Sequence, residues 1–206
     1  MLTPSTALRP CERPGCGQMF QPHTSFQCWC SPRCGSVIAR ARLKTTKAAE
    51  KAKVKQSRQV DRAKREAMKT LPELHREAQR EFNRYIRLRD HGRPCICCGQ
   101  PLEDRALTGG GYDAGHYRSV GSAPQLRYRE DNVHGQRKVC NQFGAGRAVD
   151  YRIGLIERIG LEAVEALERE NSAHKWERDE VRDIRDTYRV RANALAKKIN
   201  SGEANG

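Results

Sequence analysis

The chain has 206 residues, of which 37% are hydrophobic, so it can form one modest core with appendages but not a single large globule. Its 39 Lys and Arg residues outnumber 25 acidic residues and give a formal net charge of +14, which indicates a polyanionic partner such as nucleic acid. No stretch approaches the roughly 18 apolar residues that a membrane-spanning helix requires, and no signal peptide is recognisable, so we expect a cytoplasmic protein without a membrane partner.

Residues 1–35 are rich in Cys, Pro and Gly and contain too few aliphatic side chains for an ordinary core. Clustered Cys residues in a cytoplasmic chain bind metal more often than they form disulfides. Four of them form two close pairs, Cys11 with Cys16 and Cys30 with Cys34. Two such pairs can supply four thiolates to one zinc ion, so we predict a four-cysteine zinc finger over residues 1–35. Cys28 is left over, and the pattern does not decide whether Cys28 or Cys30 is a ligand.

Residues 36–70 are dominated by Ala, Lys, Arg, Gln and Glu, with twelve basic residues against Glu50, Asp61 and Glu66. This composition predicts a long basic helical linker with little apolar surface to bury. A solvated helix face normally carries compensating acidic residues, and the excess of one sign therefore indicates that the finger and the helix help to grip DNA.

The elements of residues 71–200 follow from apolar periodicity and turn residues. An amphipathic helix is predicted from Leu71 to about Asp90. Beyond it, a Gly-rich stretch (109–111) and β-compatible segments at 112–117 and 125–133 predict a small hairpin that leads into a short helix. Helices are expected over 151–159 and 161–170, divided at Gly160, and a final amphipathic helix is marked by Trp176, Val181, Ile184, Tyr188, Leu195 and Ile199. The tail, residues 201–206, is expected to fray.

Residues 95–141 carry the chemistry. Their motifs are Cys95-Ile96-Cys97-Cys98-Gly99, Asp113-Ala114-Gly115-His116-Tyr117, Asn132-Val133-His134 and Val139-Cys140-Asn141. The order His116, Asn132, Asn141, with fifteen and then eight residues between them, resembles the ββα-metal or HNH nuclease motif in a variant that ends in Asn. With the Cys-Ser-Pro-Arg-Cys segment, the basic helix and a helical C-terminal region, nearly the whole chain resembles the phage NinG (Rap) recombination family.

The resemblance implies a helix-rich α+β fold: zinc finger, basic helix, HNH-like core over 71–148 and helical C-terminal region over 149–200. It also implies a role for each site residue. His116 would be the general base, Asp113 and Asn141 would bind a catalytic Mg²⁺ or Mn²⁺, and Asn132 would orient the loop through backbone hydrogen bonds. Phosphodiester hydrolysis needs an activated water and a cation that stabilises the negative charge of the transition state, which is consistent with these residue types.

The sequence indicates three ligands of a second zinc site but does not identify the fourth. Cys95, Cys98 and Cys140 are in register for a zinc knuckle, but Arg137 stands where the family-like pattern has a fourth Cys. Cys97 or His134 could complete the set, or the site could have lost zinc and be held by packing.

The predicted partner is DNA, with a branched recombination intermediate such as a Holliday junction or D-loop implied by the resemblance. Phosphate contacts are expected from Arg118, Arg127, Arg129, Arg137, Lys138 and Arg147. A homodimer through the last helix would suit a four-way junction. Two rival functions stay open: a non-catalytic zinc-dependent DNA-binding or annealing recombination factor, and an RNA-binding assembly factor. If the chain is phage-encoded, it would act in the cytoplasm of the bacterial host.

Overall fold

The structure is a computed structural model that describes residues 7–102, 111–142 and 147–201. It is a helix-rich α+β protein with two small antiparallel sheets, which confirms the predicted fold class at that level. The chain divides into two compact units, one ending at Met68 and the other beginning at Lys69. Two sequence-based predictions, the turn at Gly109–Gly110 and the frayed tail at 202–206, lie outside the described residues.

The first unit consists of a short hairpin and one long helix. Strand β1 (Arg9–Pro10) pairs with β2 (Met19–Phe20), and helix α1 spans Pro32–Met68. The helix begins inside the Cys-Ser-Pro-Arg-Cys segment, four residues before the predicted start of the linker, because Pro is well suited to the first helical position. Only Cys34 and Ile38 are buried along α1, so its length is exposed, as the composition predicted.

The core of the second unit lies between helices α2 (Leu71–Arg89) and α6 (Arg178–Asn200). Thr70 begins α2 through a capping box in which its backbone N–H donates to the Glu73 carboxylate (2.8 Å). The core residues contributed by these two helices include Leu74, Ala78, Phe82, Ile86, Val181 and Ala192. Helix α6 begins two residues after Trp176, so the prediction that placed this residue in the helix was wrong. A second capping box, between Glu177 and Glu180, sets that start.

The apolar face of α6, which was predicted as a dimer interface, packs against α2 instead. Ile184, Tyr188 and Leu195 all pack against the α2 core cluster within the same chain. A homodimer stays a prediction, but this face is not the surface that would form it.

A strand, strand, helix arrangement occupies the middle of the second unit. Strand β3 (Tyr112–His116) pairs antiparallel with β4 (Val133–Arg137), and helix α3 (Lys138–Gln142) follows β4 directly. The second strand was predicted at 125–133, which is wrong. That segment forms most of two short 3-10 turns, Pro124–Leu126 and Glu130–Asn132, the first of which begins at a Pro whose fixed φ suits the first position of a helical turn.

Helices α4 (Ala148–Ile159) and α5 (Leu161–Arg169) complete the second unit and are separated at Gly160, as predicted. Gly160 has a φ of 86°, which favours glycine because it has no Cβ. Their buried residues Leu155, Val164 and Leu167 form a second cluster with Ile96 and Leu126. Among the described residues, no helix has the length and apolar character needed to cross a membrane.

Candidate metal centres and active site

The four predicted finger ligands converge on one point. The Sγ atoms of Cys11, Cys16, Cys30 and Cys34 all lie within 4.8 Å of one another. The Sγ of Cys30 is 3.6 Å from that of Cys34 and 3.7 Å from that of Cys16. A tetrahedron with Zn–S bonds of about 2.3 Å has edges of about 3.8 Å, so the four sulfurs fit zinc without rearrangement.

Cys30, not Cys28, belongs to this group. The Sγ of Cys28 lies outside the cluster and accepts a hydrogen bond from the Arg42 guanidinium (3.4 Å). Within the cluster, hydrogen bonds from the Ser31 hydroxyl and the Arg13 guanidinium lower the pKa of Cys34 to about 6. Zinc binds the thiolate, so this environment favours the ligand form of Cys34.

The second cluster contains three sulfurs. The Sγ atoms of Cys95, Cys98 and Cys140 lie within 4.8 Å of one another, and no fourth Cys, His, Asp or Glu of the described ranges joins them. The backbone N–H of Arg137 donates to Cys95 Sγ (3.3 Å), so position 137 lies directly beside the cluster. These residues could hold zinc with a fourth ligand from elsewhere.

Neither Cys97 nor His134, the two residues that the sequence suggested as a fourth ligand, completes the second cluster. The Sγ of Cys97 accepts a hydrogen bond from the Gln136 amide (2.9 Å) and lies outside the group of three. A hydrogen bond from Cys97 helps to lower the pKa of Cys95 to about 4, so Cys97 acts on a sulfur of the cluster without belonging to the cluster.

His134 belongs to a buried polar network. Its Nε2–H donates to the Asp131 carbonyl (3.2 Å), and its Nδ1 accepts from Arg89 (3.1 Å) and Arg158 (3.4 Å). Burial and the neighbouring guanidinium groups lower the pKa of His134 to about 4. This histidine is therefore neutral at physiological pH and supports strand β4.

Asp113 and Asn141, 28 positions apart in sequence, are in contact. The Asn141 side-chain amide donates to Asp113 Oδ2 at 3.1 Å. Asp113 comes from strand β3 and Asn141 from α3, so the strand, strand, helix unit brings them together. The amide of Gln142 also donates to Asp113 Oδ2, at 3.3 Å, a contact that the sequence analysis missed. Gln142 directly follows Asn141 in the helix, which is the signal that could have indicated it.

His116 lies at the end of strand β3 with its two ring nitrogens in different environments. Its Nε2 is 3.0 Å from the Arg127 carbonyl oxygen, which can only accept, so Nε2 carries the proton of the neutral ring. Nδ1 consequently has a lone pair, and no residue of the described ranges forms a hydrogen bond with it. Burial lowers the pKa of His116 below its ordinary value, which keeps the ring neutral at physiological pH.

His116 and Asn141 line one cavity of about 340 Å³. Tyr117 and Val120 from the loop after β3 and Tyr151 from α4 form other parts of its wall. His116 and Asn141 therefore border the same cavity, while Asp113 is not among the residues that line it.

Asn132 is fully buried and bonds only to backbone in the described chain. Its Oδ1 accepts from the Arg118 N–H (2.9 Å), and its Nδ2 donates to the carbonyls of Arg118 (3.0 Å) and Leu126 (3.2 Å). The side chain thus fixes the loop between β3 and β4, which includes the Arg127 carbonyl that holds His116. This is the loop-orienting arrangement expected from the sequence.

Comparisons with known proteins place this chain in a family. The family model described as the bacteriophage lambda NinG protein matches residues 4–198. The NinG protein of Salmonella phage P22 is 43% identical over 198 residues, covering 92% of this chain and 95% of the relative. That of Escherichia phage lambda is 43% identical over 197 residues, covering 92% and 94%. The chain belongs to the NinG family. No solved structure gives a significant match.

In this NinG-family chain, the six cations predicted to contact phosphate fall into two groups. Arg118 donates to the carbonyls of Leu167 (2.9 Å) and Glu170 (2.6 Å) and so caps α5, which occupies the guanidinium that we expected at a phosphate. Arg127 donates to Gln79 (2.9 Å) and Arg129 pairs with Asp131 (3.0 Å).

The other three cations lie near helix starts: Arg137 directly precedes α3, Lys138 is its first residue, and Arg147 directly precedes α4. Arg137 and Lys138 are half-buried, and no ion pair joins either to a residue of the described ranges. Arg147 is exposed and pairs with Asp150 at 2.8 Å. These three are better placed for phosphate contacts than Arg118, because exposed or weakly paired cations exchange partners at low cost.

Proposed function

We propose that this protein is a metal-dependent DNA endonuclease of the ββα-metal type, with His116 as general base. The observation that carries the proposal is that Asn141, on one strand, strand, helix unit, contacts Asp113 at 3.1 Å and also lines the cavity of His116. A carboxylate, a carboxamide and an imidazole are the groups that metal-assisted hydrolysis of a phosphodiester requires.

The residues at the site fit a hard divalent cation. Asp113 and Asn141 supply a carboxylate and an amide oxygen, the ligand types that Mg²⁺ and Mn²⁺ prefer. Two protein ligands leave most of the coordination positions for phosphate oxygens and water. When bound, the cation would stabilise the charge that accumulates on the phosphate and on the departing oxygen.

His116 would accept the proton of the attacking water on Nδ1. The Arg127 carbonyl holds Nε2–H, which both orients the ring and stabilises the positive charge that the ring gains with the proton. Asn132 would act indirectly, as a positioning residue. Its hydrogen bonds fix the loop that presents the Arg127 carbonyl to His116.

The proposed substrate is branched DNA such as a Holliday junction or D-loop. The net charge of +14 supports a polyanionic substrate, and the membership in the NinG family together with the HNH-like motif supports recombination intermediates. Branch selectivity itself rests on the family resemblance.

The test is an incubation of an end-labelled four-way junction with the purified protein, with and without added Mg²⁺. We expect Mg²⁺-dependent strand cleavage that falls by about 10²-fold or more in His116→Ala, while junction affinity stays within about twofold. His91→Ala, an exposed histidine of the same unit, is the matched control.

Two results would favour the rival functions over the enzyme. Absence of cleavage by the wild-type protein despite tight junction binding would favour a DNA-binding or annealing factor. Tighter binding to structured RNA than to any DNA, at the same salt concentration, would favour an RNA-binding factor.

A further inference from the structure

Helix α1 distributes its charges unevenly around its axis. Nine of its twelve Lys and Arg residues follow one another at intervals of three, four or seven residues. They are Arg33, Arg40, Lys44, Lys47, Lys51, Lys55, Arg58, Arg62 and Arg65. At 3.6 residues per turn they all lie within an arc of about 80° and extend over about 48 Å. We call this set the cationic stripe.

The cationic stripe is exposed and unneutralised. All nine residues are exposed, and none forms an ion pair with a residue of the described chain. The acidic residues of the helix, Glu50, Asp61 and Glu66, lie outside the arc. The remaining cations, Arg42, Lys53 and Lys64, lie on the opposite side of the helix, and Arg42 pairs with Glu12 at 2.9 Å.

This geometry points to the phosphate backbone of a duplex. Like charges on one face of a helix repel one another at i, i+4, so the stripe costs stability unless a polyanion neutralises it. A single strand is normally bound by aromatic side chains that stack on bases, and α1 contains no aromatic residue. A duplex offers a stiff double row of phosphates, with one charge per roughly 1.7 Å of axis, and needs only cations to be held.

We propose that the cationic stripe of α1 is a docking surface for the backbone of double-stranded DNA, independent of base sequence. The choice of DNA over double-stranded RNA rests on the proposed function. DNA binding by the cationic stripe does not depend on nuclease activity, so the test measures binding alone.

The test compares two double variants of the full-length protein that remove equal charge from the same helix. Lys51→Gln with Lys55→Gln removes two stripe residues, and Lys53→Gln with Lys64→Gln removes two from the opposite side. Gln resembles Lys in helix propensity, and all four positions are exposed, so circular dichroism should show unchanged helix content. Affinity for a 30-base-pair duplex is measured by fluorescence anisotropy from about 50 to 300 mM salt without added Mg²⁺ or Mn²⁺.

We expect the stripe variant to lose about tenfold in affinity and to lower the slope of log K against log salt by about 2, since each phosphate contact contributes about 0.9. The opposite-side variant should change the slope by less than about 0.5, and Lys51→Arg with Lys55→Arg should restore binding. Equal losses in both Gln variants would overturn the proposal in favour of diffuse attraction, as would unchanged binding by the stripe variant. A loss seen with duplex RNA but not with duplex DNA would overturn the choice of partner.

These results are distinguishable from failure of the proposed nuclease. A protein that binds duplex DNA through the stripe but does not cleave junctions would leave this inference intact.

Discussion

At the scale of single residues, the tautomer of His116 carries a prediction about pH. Burial lowers the pKa of His116 below 6.5, and only the neutral ring can accept a proton. Activity is therefore expected above that pKa and should be lost as the pH falls through it. Junction cleavage rates at saturating Mg²⁺ between pH 5 and 8 should show an acidic limb with its midpoint below 6.5. A midpoint above 7 would contradict this assignment.

His134 carries a second prediction, about stability. Its folded-state pKa of about 4 lies below the ordinary value of 6.5, so the unfolded chain binds more protons between these two values. The stabilisation is complete above pH 6.5 and is lost as the pH falls to 4, by about 3 kcal/mol in total.

Chemical denaturation from pH 7 to 4 measures this loss. His134→Asn keeps an acceptor for Arg89 and removes the titrating ring, so the free energy of unfolding should depend less on pH than in the wild type. His91→Asn, at an exposed position, should keep the wild-type dependence. Parallel curves for all three proteins would show that another group dominates.

At the scale of elements, the packing of α4 on the loop that contains Cys95, Ile96 and Cys98 depends on one glycine, Gly154. A Cβ on Gly154 would lie 2.0 Å from the Ile96 carbonyl oxygen, a contact that only a backbone shift could relieve. Ala normally stabilises a helix by about 1 kcal/mol over Gly, but here we expect Gly154→Ala to lower the free energy of unfolding by about 2 kcal/mol or more.

The control for this variant is Gly121→Ala, where the nearest atom to an added Cβ is 4.0 Å away. Its unfolding free energy should stay within about 0.5 kcal/mol of the wild type. If Gly154→Ala proved as stable as the control, α4 would not pack on the loop of Ile96 as described.

At the scale of the whole molecule, the metal content follows from two unequal Cys clusters. The first offers four thiolates at zinc spacing and the second offers three. Arg137→Cys adds a fourth thiol beside Cys95, and we expect this change to tighten zinc binding at the second site by about tenfold or more. Competition with a chromophoric chelator, together with metal analysis, measures both affinity and stoichiometry.

The matched control adds a thiol at an exposed position of the same segment. Val139 precedes Cys140 and is 53% exposed, so Val139→Cys should leave the zinc affinity unchanged. An equal gain from both variants would mean that position 137 has no special relation to the cluster.

The sequence by itself determined the features that depend on local spacing. The Cys pairs of the finger, the helices α2, α4 and α5, and the break at Gly160 all follow from residues close together in the chain. The motif also indicated Asp113, His116 and Asn141 as one group, through its resemblance to a known nuclease pattern. Local patterns suffice here because helical periodicity, turn residues and metal-ligand spacing act over a few residues.

Only the tertiary structure decided the features that depend on contacts between distant segments. It selected Cys30 over Cys28, began β4 at Val133, and turned the apolar face of α6 toward α2 instead of toward a partner. It also assigned Arg118 to the end of α5, since a guanidinium binds whichever carbonyls or phosphates the fold brings within reach. Composition fixes which groups are present, but the partner of each long or polar side chain is set by packing.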